Sequence, residues 1–142
     1  MRPIKFRAKA LNDFETSIDG IKKGDWVYGY YYFCRTINIG IIVTTLSEES
    51  GGVGSGIIQV EIEVDYTTAG QFIGLEDRNG KEIYEGDIFM DEEDNSCNSV
   101  EWNIFYGGWG TNEWWLPQEL VEHSKTLEVI GNIYDNPELL TN

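Results

Sequence analysis

Hydrophobic and polar residues alternate with a period of two along several segments, the pattern of half-buried β-strands. Residues 2–10 place apolar side chains on one face and lysine or arginine on the other. Residues 58–65 alternate isoleucine or valine with glutamine, glutamate or aspartate. Residues 26–33 and 37–45 are dense in aromatic and β-branched residues, which favour strands. We predict a strand in each segment. The outer face of residues 2–10 is basic, and the outer face of residues 58–65 is acidic.

The rest of the chain predicts short strands separated by turns. These strands cover residues 71–75, 81–84, 88–90, 100–106 and 127–133. Asn79-Gly80 predicts a type I′ hairpin, because that turn requires positive φ angles. Residues 117–124 favour a helical turn, and Asn136-Pro137 begins a short terminal helix through Leu140. The fold class is therefore mostly β: a small, partly open barrel of SH3-like character or a sandwich, with a short C-terminal helix.

The length of 142 residues suits one domain and is too short for two well-cored ones. We therefore predict a single domain over residues 1–142. Four glycines between residues 51 and 56 predict a flexible insertion near 47–57, and the acidic, polar run near 91–99 predicts a second one. The glycine-rich segment lacks the Gly-Lys-Ser/Thr ending of a phosphate-binding loop.

Charge is the strongest global property of the sequence. Ten lysines and arginines oppose 25 aspartates and glutamates, for a formal net charge of −15. Residues 1–35 hold seven basic and four acidic groups, whereas residues 36–142 hold three basic and 21 acidic groups. Such a surface repels phosphate backbones, because nucleic-acid affinity comes mainly from lysine and arginine. Solubility, a basic protein partner or nucleic-acid mimicry are the roles that this charge favours.

No pattern predicts a catalytic, cofactor-binding or metal-binding residue. Cys34 and Cys97 are too few for a disulfide framework or a zinc site, so we interpret them as reduced thiols of a cytoplasmic protein. The single histidine, His123, stands in a polar stretch and is predicted to lie at the surface. The acidic run from Asp91 lacks the glycine and the glutamate of a calcium loop. No secretory signal or membrane-spanning run is visible, so we expect no membrane contact.

Aromatic residues are the unusual feature of this chain. On the second strand, Tyr28, Tyr30 and Tyr32 share one face, and Tyr31 and Phe33 share the other. A second group occupies the last third of the chain: Trp102, Tyr106, Trp109, Trp114 and Trp115. Core packing, a protein interface and base stacking all use such residues. We take as the candidate interaction surface Tyr31, Trp109, Trp114 and Trp115.

Four segments together resemble a known family. They are residues 4–8 (IKFRA), 25–29 (DWVYG), 70–88 (GQFIGLEDRNGKEIYEGDI) and 130–140 (IGNIYDNPELL). In this order they resemble the YopX-like family of small phage and prophage proteins. The resemblance implies a phage or prophage gene, a β-rich fold and oligomerisation, and it implies no reaction. The glycines of the third segment recur at six-residue intervals, where tight turning or a close backbone approach excludes a Cβ atom.

The leading hypothesis is a non-enzymatic phage accessory protein that binds other proteins, as a homo-oligomer or through a basic host or phage partner. The absence of a catalytic signature and the aromatic excess favour it. The alternative is a role linked to nucleic acid. In one form the aromatics and Lys5, Arg7 and Lys9 bind a single strand; in the other the acidic surface mimics nucleic acid. A metal-dependent hydrolase is the remaining, weakest alternative.

Overall fold

The computed structural model describes residues 4–15, 20–49, 55–91, 95–105, 107–111 and 117–140. In this part of the chain it contains nine strands, one α-helix and two 3₁₀ helices. The strands are β1 (Phe6–Ala10), β2 (Trp26–Cys34), β3 (Ile39–Glu49), β4 (Ser55–Glu76), β5 (Glu82–Tyr84), β6 (Asp87–Met90), β7 (Cys97–Asn103), β8 (Gly108–Thr111) and β9 (Glu128–Asn132). The helices are α1 (Pro117–His123) and the 3₁₀ helices Ser124–Thr126 and Pro137–Leu140.

The strands form two antiparallel sheets. One has the order β1-β2-β3-β4-β5, and an additional pairing of β1 with β4 makes it partly ring-like. The other has the order β8-β7-β6-β9. The mostly β fold with a short helix near the C-terminus is therefore confirmed. None of the helices in the described residues is both long enough and apolar enough to cross a lipid bilayer.

The chain divides into two compact units. The N-terminal unit is Ile4–Gln71, and the C-terminal unit is Met1–Pro3 with Phe72–Asn142. Each has its own hydrophobic core. The N-terminal core consists of Ala8, Ala10, Val27, Ile42, Ile62 and Val64. The C-terminal core consists of Ile73, Ile83, Phe89, Val100, Leu120, Leu127 and Val129. The single-domain assignment of residues 1–142 stays a prediction.

The alternating segment at residues 58–65 is confirmed as a strand with one buried face. Ile62 and Val64 are buried, whereas Glu61 and Glu63 are exposed. This strand does not end at residue 65, because β4 runs on without a break to Glu76. The two strands predicted over 58–65 and 71–75 are thus one strand of 22 residues.

Strand pairing extends into both segments that are predicted to be insertions. Strands β3 and β4 remain paired as far as Glu49 and Ser55, and residues 50–54 of that predicted insertion lie outside the described residues. Strand β7 begins at Cys97, three residues before its predicted start. Asn98 and Ser99 are buried there and pair with Phe89 and Ile88, so strand pairing overrides the polar local sequence. Residues 92–94 of the second predicted insertion also lie outside the described residues.

The hairpin turn at Asn79-Gly80 is confirmed, but its predicted type is wrong. Gly80 has a φ of 79°, whereas Asn79 does not adopt a positive φ. The Asp77 N–H donates to the Lys81 carbonyl at 2.8 Å and the Gly80 N–H donates to the Asp77 carbonyl at 3.0 Å. This is a three-residue hairpin loop, a type I turn followed by a left-handed glycine.

The Asp77 side chain explains the choice of turn. Its Oδ1 accepts hydrogen bonds from the backbone N–H groups of Asn79 at 2.8 Å and Lys81 at 2.9 Å. Its Oδ2 accepts a third, from the Val129 N–H at 3.0 Å, which ties the hairpin to β9. Burial raises the pKa of Asp77, but these three donors outweigh burial and hold it below its ordinary value. Asp77 therefore organises this turn.

The basic outer face predicted for β1 is only partly correct. Arg7 is 4% exposed, and its guanidinium lies 4.6 Å from the centre of the Trp26 ring. The Lys9 ammonium lies 5.4 Å from the same ring. Strand β2 pairs directly with β1, so an aromatic neighbour covers the arginine that the alternation places outward.

Candidate functional site

The β7–β8 hairpin carries several exposed apolar side chains of the C-terminal unit. Its register pairs Trp102 with Trp109 and Asn103 with Gly108. At the turn, the Gly107 N–H donates to the Asn103 carbonyl at 2.9 Å, and the Phe105 N–H donates to the Asn103 Oδ1 at 2.9 Å. Residue 106 of this turn lies outside the described residues. Gly107 and Gly108 follow it in the sequence and allow the chain to reverse its direction.

The two tryptophans of this hairpin have different environments. Their rings meet edge to face, with centroids 5.0 Å apart and planes inclined by 76°. Trp109 is partly buried and packs against the C-terminal core. Trp102 is 48% exposed. One ring therefore anchors the other, which remains available at the surface.

Two further apolar side chains extend this surface at the end of β7. Ile104 is 77% exposed and Phe105 is 88% exposed. We call Trp102, Ile104, Phe105 and Trp109 the hairpin patch. Large apolar side chains as exposed as Ile104 and Phe105 are typical of docking surfaces.

The predicted interaction residues are placed as follows. Trp109 belongs to the hairpin patch. Tyr31 is partly buried in the N-terminal unit, where it packs against the core and meets the Phe6 ring at 5.6 Å. Burial, with a smaller contribution from Tyr66, raises the pKa of Tyr31. Trp114 and Trp115 lie outside the described residues. The role of all four as interaction residues stays a prediction.

Sequence reasoning did not select three of the four patch residues. The sequence places Trp102 in the aromatic group only, and it predicts that Ile104 and Phe105 lie within the strand over residues 100–106. The run Gly107-Gly108 is the signal that places them beside a turn rather than inside a strand.

The aromatic face of β2 is confirmed. Tyr28, Tyr30 and Tyr32 are 44%, 68% and 41% exposed on one face of the strand. Tyr32 donates a hydrogen bond from its hydroxyl to Glu61 Oε1 at 3.1 Å. Partial desolvation of the hydroxyl, together with that bond and the carboxylate charge, raises the pKa of Tyr32. On the opposite face, the Phe33 and Tyr66 rings pack edge to face at 5.3 Å.

Negative charge is concentrated in the C-terminal unit. It holds four basic and 16 acidic residues, a net charge of −12. The N-terminal unit holds six basic and nine acidic residues, a net charge of −3. The hairpin patch therefore belongs to the unit with the stronger negative field.

In the described ranges, no group of three or more histidine, cysteine, aspartate or glutamate side chains is placed to hold a metal ion. His123 is exposed at the end of α1, as predicted. Cys34 and Cys97 are free cysteines in different units.

The sequence pattern that defines the YopX protein family matches residues 24–141. The chain belongs to the YopX family. The matched region covers all strands from β2 onward and includes the whole hairpin patch. The predicted resemblance is thereby confirmed, and of its four segments residues 25–29, 70–88 and 130–140 lie within the match, whereas residues 4–8 precede it.

A solved structure has the same fold as this YopX family member. It is the crystal structure of protein EF1440 from Enterococcus faecalis, which is 24% identical, with a TM-score of 0.59 over 99% of each chain. At this identity the likeness concerns the fold alone. No curated protein matches the chain.

Proposed function

We propose that this YopX family member is a non-enzymatic accessory protein of a phage or prophage, and that it binds a basic protein through its hairpin patch. The supporting observation is the exposure of Ile104 and Phe105 beside the Trp102–Trp109 pair. An aromatic pair next to exposed apolar side chains supplies the anchors that dominate binding energy. The lack of a nucleophile elbow or a His-Glu-x-x-His motif in the sequence supports a non-enzymatic role.

The charge of the C-terminal unit favours a basic partner over a second copy of this chain. Two units of net charge −12 repel each other, whereas a basic surface is attracted and its association is accelerated. Self-assembly through the same patch is the competing outcome of the test.

The test is capture of host proteins by the tagged chain, with nuclease present, compared across matched variants. Ile104→Ser and Phe105→Ser remove the patch, and Ile37→Ser removes an isoleucine that is 55% exposed in the N-terminal unit. We expect a specific protein band that Ile37→Ser retains and both patch variants lose. A band that all variants retain contradicts the assignment to the patch. Recovery of the bait alone, with light scattering that shows an oligomer lost on Phe105→Ser, indicates self-assembly instead.

One observation favours the nucleic-acid alternative. The register of β1 with β2 sets Lys9 opposite Trp26, so a basic and an aromatic residue are neighbours. Single-strand binding grooves combine these two residue types. Glu61, which accepts a hydrogen bond from the Tyr32 hydroxyl, argues against single-strand binding, because its carboxylate repels the phosphate backbone. A gel-shift assay at low and high salt decides: binding lost at high salt and weakened by Tyr30→Ala would support a single-strand role.

A further inference from the structure

A groove of about 210 Å³ opens beside β4 in the N-terminal unit. It forms where the chain departs from β4 after β1. The Leu11 N–H still donates to the Glu63 carbonyl at 3.0 Å, whereas the Phe14 N–H donates to the Ile21 carbonyl at 2.6 Å and not to β4. We call the residues that line this groove the edge groove: Asn12, Asp13, Phe14, Glu61, Ile62 and Glu63.

The backbone of β4 points hydrogen-bonding groups toward this groove. In an antiparallel sheet, the N–H and C=O groups of every second residue point to the same side of the strand. Because the Glu63 carbonyl bonds to Leu11, on the side away from β3, the groups of Glu61 and Gln59 point to that side as well. The register of β3 with β4 shows no shift that would interrupt this alternation. Within the described residues, no strand pairs with Gln59 or Glu61 on that side, so β4 has a free edge there.

Side chains along this free edge are acidic. Asp13, Glu61 and Glu63 accept hydrogen bonds from uncharged groups at 2.9, 3.1 and 3.3 Å. In the described part of the chain none of the three belongs to an ion pair, and no lysine or arginine lines the edge groove. Two copies of such an edge repel each other, because pairing brings like charges together across the strands. A strand that carries lysine or arginine is attracted instead.

Strand β1 shows which kind of strand suits β4. It runs antiparallel to β4, alternates basic with apolar residues, and places Lys9 opposite Asp65. Its alanines are buried in the N-terminal core. Beyond Leu11 the acidic side chains of β4 continue with Glu63 and Glu61, whereas the basic strand has ended. A basic strand in the line of β1 would therefore continue a pairing that the fold already contains.

We propose that the free edge of β4 binds an extended, basic segment of a partner protein by strand addition. The backbone of that segment pairs with Gln59 and Glu61, its lysine or arginine side chains lie beside Glu61 and Glu63, and its apolar side chains pack on Phe14. Backbone pairing supplies affinity, and the carboxylates exclude acidic segments. This surface belongs to the N-terminal unit, so the inference goes beyond docking on the hairpin patch and does not rest on it.

The geometry predicts which backbone nitrogens of the added strand must be free. The groups of Glu61 point at the added strand, so Glu61 and the residue opposite it form a hydrogen-bonded pair whose side chains share a face. The residue opposite Glu61 is the basic one. Its N–H therefore faces β4, whereas the N–H groups of the apolar residues face away.

The test measures the binding of four peptides to the isotope-labelled 142-residue chain by NMR. The first is acetyl-Lys-Val-Lys-Val-Lys-Val-amide, and the second has glutamate in place of lysine. The third carries N-methyl groups on its lysine nitrogens, and the fourth carries them on its valine nitrogens. We expect the first and fourth peptides to shift the amide signals of Gln59 and Glu61. The second and third should bind about tenfold more weakly, because they lose the charge match or the backbone donors.

A pair of proline variants tests the edge of the protein itself. Gln59→Pro removes an N–H that points to the free edge, and Thr45→Pro is the matched control. Thr45 stands opposite Gln59 in the register, so its N–H points away from β4, on the other side of the strand pair. Proline is tolerated where the N–H makes no ladder bond. We expect Gln59→Pro to weaken binding of the first peptide about tenfold and Thr45→Pro to leave it unchanged. If either variant fails to fold, the two N-methylated peptides decide the question with the unaltered chain.

Charge removal tests the acidic side chains. Glu61→Gln should weaken binding of the first peptide about threefold, whereas Glu122→Gln, which removes an exposed charge from α1 in the other unit, should not. Equal weakening by the two variants would show diffuse attraction and overturn the proposal. Equal binding of the two N-methylated peptides would overturn strand addition, as would an absence of shifts with the first peptide.

Failure of this inference and failure of the proposed function give different results. Peptide shifts at Trp102 and Phe105 in place of Gln59 and Glu61 would overturn the edge assignment and leave the hairpin patch in place. Peptide binding at the edge, together with partner capture that survives Phe105→Ser, would support the edge and overturn the docking role of the patch.

Discussion

Trp102 and Trp109 face each other across the β7–β8 pair and meet edge to face, with ring centroids 5.0 Å apart. Trp109 packs against the core, while nearly half of Trp102 is exposed. The pair thus connects the packed interior of the C-terminal unit to its exposed apolar surface. Stability and binding should therefore depend on the two rings unequally.

Replacement of the two tryptophans by alanine should separate these contributions. We expect Trp109→Ala to lower the free energy of unfolding by about 2–3 kcal/mol, because it leaves a gap against the core. Trp102→Ala should cost about 1 kcal/mol, chiefly the ring–ring contact. Urea denaturation of both variants and of the double variant measures the coupling. A larger loss for Trp102→Ala than for Trp109→Ala would contradict this division.

Asp77→Asn should destabilise the protein by about 2 kcal/mol at neutral pH. An amide cannot accept at both oxygen positions, so its NH₂ group would face the Val129 N–H or the donors in the turn. Urea denaturation across a pH series measures the loss, with Glu122→Gln as a control for the removal of one exposed charge.

The contribution of Asp77 to the free energy of unfolding should depend on pH in a defined direction. The folded pKa is lower than the ordinary value of 3.8, so the carboxylate stabilises the folded state fully above that value. The stability is lost as the pH falls through the lower, folded pKa. The difference between wild type and Asp77→Asn should therefore be largest above pH 5 and shrink in stronger acid. A difference that grows on acidification would contradict the assignment.

Gly80→Ala should cost about 1 kcal/mol, because an alanine at φ 79° is strained although the space around it is open. Gly80→Asn should cost less, since asparagine tolerates the left-handed region better. Thermal or urea denaturation of the two variants measures the difference. Equal stability of wild type and Gly80→Ala would show that the turn has changed its conformation.

Salt should distinguish the two modes of association at the hairpin patch. Capture of a basic partner should weaken as ionic strength rises, because screening removes the attraction to the acidic unit. Contact between two copies through the same patch should strengthen, because screening removes their repulsion. Capture assays and light scattering at low and high salt measure the two effects. Capture that is insensitive to salt would contradict a role for the acidic surface.

For the candidate site, the sequence identified aromatic residues as a class and selected Trp109, but it did not select Trp102, Ile104 or Phe105. Aromatic excess pointed to the last third of the chain, where Trp109 lies. It could not show that Trp109 packs inward while its strand partner Trp102 faces outward, because that depends on which ring the core of the C-terminal unit covers.

Local patterns alone determined most of the strands, the hairpin turns and the acidic face of β4, because strand alternation and turn chemistry depend on neighbouring residues. They also determined the family, through residues 70–88. Tertiary structure decided where pairing overrides local polarity, as at Asn98 and Ser99, and where an outward arginine is covered, as Arg7 is by Trp26. Burial of such positions depends on partners far away in sequence, and no local pattern encodes those partners.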